Sequence, residues 1–101
     1  MPIESNVSHD GQALTISVKG RFDFSSSFMF RNAYERQDDQ PKTFFIDLKE
    51  SDYLDSSALG VLLALRDYAG GNSSDIRIIN CTPDVKKIFV TTKLDELFTV
   101  E

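Results

Sequence analysis

The segment Asp55-Ser56-Ser57-Ala58-Leu59-Gly60 joins a carboxylate, two hydroxyls and a run of small residues. It stands where the apolar stretch Phe44-Phe45-Ile46-Asp47-Leu48 gives way to Val61-Leu62-Leu63-Ala64-Leu65. The first stretch reads as a buried strand and the second as part of a helix. A serine at such a helix start lies beside unpaired backbone N–H groups and the positive end of the helix dipole. That is a favourable place for a phosphate. It is a poor place for a nucleophile, which needs a base within reach. The lone histidine, His9, falls on an opening hairpin. The chain has no Gly-x-Ser-x-Gly elbow, no Gly-x-x-x-x-Gly-Lys loop and no Cys/His cluster for zinc. The segment therefore reads as a switch in a binding module, not as an enzyme's centre. Helix capping by Asp55 or Ser56 is the plainer reading, and the two are compatible.

The elements that must position these residues are legible from periodicity. Ser5 to Ser8 is a strand candidate, Asp10-Gly11 a favoured tight-turn pair, and Leu14 to Lys19 alternates apolar and polar. Leu14, Ile16 and Val18 should face a core, and Thr15, Ser17 and Lys19 water. Gly20-Arg21-Phe22-Asp23 closes that strand. Ser25-Ser26-Ser27 offers caps for a helix running to about 36 or 37, with Phe30, Ala33 and Tyr34 as its buried stripe. The polar run 37–41 reads as a loop. After the Phe44–Leu48 strand, a helix buries Ala58, Val61, Leu62 and Leu65 and stops at Gly70-Gly71. Ile76 to Ile79 is a fourth strand. Thr82-Pro83-Asp84 opens a helix with Val85, Ile88 and Phe89 inward, and Leu94, Leu97 and Phe98 mark a last helical turn. The expected fold is α/β: a small mixed sheet, an opening hairpin then βαβαβ, with helices packed mainly on one face.

With 101 residues, the chain is expected to form a single domain, 1–101. A net charge of −5 disfavours nucleic acid and anionic membrane as partners. One cysteine, Cys81, allows no internal disulfide. No apolar run is long enough to span a membrane, and the first residues lack the pattern of a secretory signal. The expected location is cytoplasmic. Asp38-Asp39 lacks the ligand pattern of a calcium site, and neither metal nor cofactor is expected.

Three segments resemble the STAS domain of anti-sigma factor antagonists. Gly20-Arg21-Phe22-Asp23 is similar to the family's Gly-x-Leu-Asp. Asp47-Leu48 with Tyr53-Leu54-Asp55-Ser56-Ser57-Ala58-Leu59-Gly60 is similar to its phosphorylation-site motif. Leu94-Asp95-Glu96-Leu97-Phe98 is similar to its closing segment. Ala58 stands where many relatives carry glycine, and Phe22 where an aliphatic residue is usual.

The resemblance implies a partner-switching protein. Unphosphorylated, it would sequester an anti-sigma factor, often a serine kinase of the histidine-kinase ATPase type. That kinase would phosphorylate it and break the complex, and a metal-dependent serine phosphatase would restore it. The motif puts the phosphorylated residue at Ser57, with Ser56 the alternative register. It puts Asp23 and Asp55 beside the serine. Arg21, Phe22, Ser56, Ser57, Ala58, Leu59 and Gly60 are expected to form the partner-binding patch. The alternative function is a STAS regulatory or assembly subunit of a transporter or ATPase complex.

Overall fold

The computed structural model describes residues 3–35 and 41–101, so most of the expected 37–41 loop lies outside the described residues. Strand β1 (Ile3–Val7) pairs antiparallel with β2 (Ala13–Phe22). The joint between them is longer than a two-residue turn. Ser8 N donates to Ala13 O at 2.8 Å and Gly11 N to Ser8 O at 2.9 Å, while Asp10 Oδ1 accepts from Ser8 Oγ and Gln12 N.

A 3₁₀ turn (Phe24–Ser26) leads into α1 (Ser27–Glu35). Then follow β3 (Thr43–Leu54), α2 (Ser56–Tyr68), β4 (Ile76–Ile79) and α3 (Pro83–Thr91). A 3₁₀ turn at Leu94–Glu96 precedes β5 (Thr99–Val100). Among the described residues the sheet has five strands in sequence order, β1 antiparallel to β2 and each later pair parallel. The mixed sheet and its helices match expectation; β5, only two residues long, gives no periodic signal and is an addition.

Alternation along the strands sorts the two faces. Leu14, Ile16, Val18, Phe44, Ile46, Leu48, Ile76 and Ile78 are buried, in one cluster with Phe30 and Tyr34 of α1, Leu62 and Leu65 of α2, and Val85 and Phe89 of α3. Their neighbours Thr15, Ser17, Phe45, Asp47, Arg77 and Ile79 are only half-buried. The helices therefore cover one face and leave the other partly open. Removing this apolar surface from water is the main stabilising term.

Both central strands run further than their apolar cores suggest. β3 continues through Lys49-Glu50-Ser51-Asp52 and β2 through Gly20-Arg21-Phe22, with register shifts between Ser17 and Lys19 and between Gly20 and Arg21. Gly20 has φ +74, a conformation glycine adopts without a Cβ penalty. The buried Ser51 donates its hydroxyl to Gly20 O at 3.0 Å, which satisfies a carbonyl at the irregularity. α2 ends at Tyr68, and Gly70 turns the chain away with φ +112.

Candidate functional site

The extended ends of β2 and β3 set the geometry of the site. Arg21 pairs with Tyr53 and Phe22 with Leu54, and Asp55 N donates to Phe22 O at 3.4 Å. Beyond that point each strand turns into helical structure, and each turn is held by an aspartate. Asp55 Oδ1 accepts from Ala58 N at 2.9 Å and from Ser57 Oγ at 2.6 Å. Asp23 Oδ1 accepts from Ser25 N at 3.0 Å and from Ser25 Oγ. The two segments share one local design: a carboxylate at position i receives the hydroxyl of a serine at i+2 while capping the turn that follows.

These contacts set the acidity of both carboxyls. The Ser57 hydroxyl, and then the Ala58 N–H, hold Asp55 below the ordinary carboxylate range. The Ser25 side chain does the same for Asp23, opposed in part by desolvation and by the negative charge of Asp55. Each hydrogen bond favours the ionised form because a donor binds the charged carboxylate more strongly than the neutral acid. Arg21 Nε lies 3.6 Å from Asp23 Oδ2, and its guanidinium sits 4.3 Å from the centre of the Tyr53 ring. Arg21 is exposed, so this pair adds little stability by itself.

The structure brings together most residues anticipated from sequence. Asp55 and Ser57 are hydrogen-bonded; Asp23 is close enough to Asp55 for charge repulsion, but its hydrogen bonds serve the Phe24–Ser26 turn rather than Ser57. Asp55, not Ser56, caps α2, leaving Ser56 exposed and Ser57 half-buried at its edge. Leu59 is half-buried and Gly60 exposed.

Two residues of the expected patch are corrected. The side chains of Phe22 and Ala58 have no exposure and cannot meet a partner. Phe22 points to the core side at the end of β2, with its ring centre 5.2 Å from that of Phe30. Ala58 lies on the face of α2 turned to the sheet, where a larger side chain would overfill the core.

Sequence reasoning missed Phe24 and Phe28, which are 71% and 74% exposed. With Ser57, Gly60, Val61 and Ala64 they line a groove of about 630 Å³ between the start of α1 and the outer side of α2. Phe28 falls off the buried stripe of Phe30 and Tyr34, and that mismatch is the signal that could have found it.

A family model for the STAS domain matches residues 4–101. The chain belongs to the STAS domain family. A STAS-domain containing protein of Pseudomonas aeruginosa strain UCBPP-PA14 is 48% identical over 100 residues, covering 99% of each chain. The anti-sigma factor antagonist of Mycobacterium paratuberculosis superposes with a TM-score of 0.75 at 22% identity, over 97% of this chain and 84% of that one. The phosphorylated form of the Bacillus cell fate determinant SpoIIAA gives 0.68 at 14% identity, over 98% and 90%. A sulfate transporter family protein of Wolinella succinogenes gives 0.76 at 11% identity, over 90% and 73%. At these identities the structural likeness is one of fold, shared by proteins named for different roles. Among the described residues, no helix is long and apolar enough to cross a membrane.

Proposed function

We propose that this STAS domain is an anti-sigma factor antagonist whose binding is switched by phosphorylation of Ser57. The observation that carries the reading is the Ser57 hydroxyl, half-buried at the first turn of α2 and hydrogen-bonded to Asp55 at 2.6 Å. A solved relative in fold, SpoIIAA, exists in a phosphorylated form. The small and partly apolar residues that follow, Leu59, Gly60 and Val61, make a surface that another protein can desolvate. The activity is binding, not catalysis.

Phosphorylation would change this place in three ways. It removes the hydroxyl proton that Asp55 accepts. It adds about −1.5 to −2 charges at neutral pH. The α2 N-terminus attracts that charge while Asp55 repels it, so the fold itself need not rearrange. A docked partner, however, must desolvate the phosphate. A loss of about 3 kcal/mol at the interface weakens binding roughly a hundredfold.

In this reading the partner is an anti-sigma factor of the serine-kinase type, and a metal-dependent phosphatase resets the switch. Mass mapping of the chain isolated from cells, with its co-purifying proteins, tests it. Phosphate on Ser57 and a kinase-like anti-sigma factor are expected. Phosphate on Ser56 would shift the register. No phosphate under any condition, with a transporter ATPase as companion, would replace this reading with an assembly role.

A further inference from the structure

The helical layer carries a feature that the fold does not need. Gly60 lies inside α2, where glycine costs about 0.5–1 kcal/mol relative to alanine. Its backbone is not left-handed, and a Cβ added there would meet nothing within 4 Å. No internal contact demands a glycine, yet it stands at the floor of the groove, one turn from Ser57. Ser57, Gly60 and Ala64 follow helical spacing and leave the α2 backbone bare, while Phe24 of the 3₁₀ turn and Phe28 of α1 form an exposed aromatic wall. Two large aromatic side chains kept in water beside a bare helix are unusual for a surface with no partner.

Charge along the groove is uneven. Its lining includes Arg31, Glu35 and Asp67. Arg31 Nε is bound to Glu35 Oε2 at 2.9 Å, so those two neutralise each other. Asp67 has no ion pair among the described residues. At the other end, Asp55 already accepts from Ser57 and Ala58. Ten residues of helix, roughly 15 Å at 1.5 Å per residue, separate Ser57 from Asp67. The groove is thus apolar at its Ser57 end and holds one uncompensated negative charge about three turns away.

We propose that this groove receives an amphipathic helix of the partner protein, its apolar stripe lying on Phe24, Phe28 and Gly60, and a lysine or arginine meeting Asp67. The bare backbone at Gly60 permits the close approach of two helices, and a helix of about three turns spans the groove. The arrangement rests on the partner-binding reading above and explains how Ser57 could control it. The serine lies under the apolar part of the incoming helix, so a phosphate there would be buried with no cation to meet it. A second copy of the chain fits less well, because each copy carries a net charge of −5.

The test uses the unmodified chain and two synthetic helical peptides of fourteen residues. Both carry leucine at i, i+3, i+4 and i+7; one has lysine and the other glutamate at the end that would reach Asp67. Backbone amide shifts are followed up to millimolar peptide. The lysine peptide should shift Phe24, Phe28, Gly60 and Ala64 and bind at least fivefold tighter than the glutamate peptide. Asp67→Lys should reverse that preference. Gly60→Leu, whose Cβ enters open space and whose longer side chain projects into the groove, should weaken binding at least tenfold, whereas Gly60→Ala should stay folded and weaken it less. No binding, shifts on α3 or on the open sheet face, an unchanged peptide preference in Asp67→Lys, or shifts that grow with protein concentration alone would overturn the proposal. None of these outcomes depends on phosphorylation, so the groove and the Ser57 switch stand or fall separately.

Discussion

Asp55 does two jobs with one oxygen: it caps α2 through Ala58 N and holds the Ser57 hydroxyl. The hydroxyl is the largest influence holding its carboxyl below the usual range. Ser57→Ala should therefore move the Asp55 titration upward, toward the ordinary value of 3.8, in carboxyl NMR across the acid range. The sign follows from linkage. The folded pKa is depressed, so the stabilisation is complete above the unfolded value and is lost as pH falls through the folded one. Removing the hydroxyl should narrow that window and take its share of stability away at neutral pH, with no effect through this linkage below both pKa values. An Asp55 titration that does not move would mean that the hydrogen bond is absent in solution. The motif's carboxylate and serines can be read from sequence, because capping requires them at fixed offsets. Which serine faces the carboxylate cannot, since Ser56 and Ser57 differ only in how the first turn presents them.

At the level of elements, the β2 and β3 ends and the helices after them decide what is surface and what is core. Phe22 looks available in the Gly20–Asp23 segment but is buried against Phe30, so Phe22→Ala should cost about 3–5 kcal/mol in denaturant unfolding. Gly60→Ala should do the opposite and stabilise by about 0.5–1 kcal/mol, visible as a raised Tm. A destabilised Gly60→Ala protein would show that the glycine serves the fold and not an outside contact. The strands' apolar cores are plain from alternation. Their extensions are hidden, because Lys49-Glu50-Ser51-Asp52 reads as a solvated run and the irregularity at Gly20 breaks the period. β5 is hidden for another reason: two residues cannot carry a pattern, and its pairing with β4 exists only once the chain has come back across the sheet. The groove is a property of two helices together, and neither sequence alone announces it.

Across the whole molecule, a sheet covered by helices on one face brings the start of α1 and the outer side of α2 together beside Ser57. The core is fixed by local periodicity and hydrophobic burial, which explains why the α/β architecture is legible in the sequence. A docking surface is fixed by what another protein brings to it, and the chain records that only indirectly, through exposed Phe24 and Phe28 and through Gly60. In the proposed switch, a negative charge at the Ser57 hydroxyl controls that surface. The deciding measurement is a calorimetric titration of the isolated anti-sigma partner with the chain in three forms: unmodified, carrying phosphoserine at position 57, and Ser57→Ala. Tight binding by the first and third and affinity about a hundredfold lower for the second are predicted. Equal affinity for the unmodified and phosphorylated forms would contradict it.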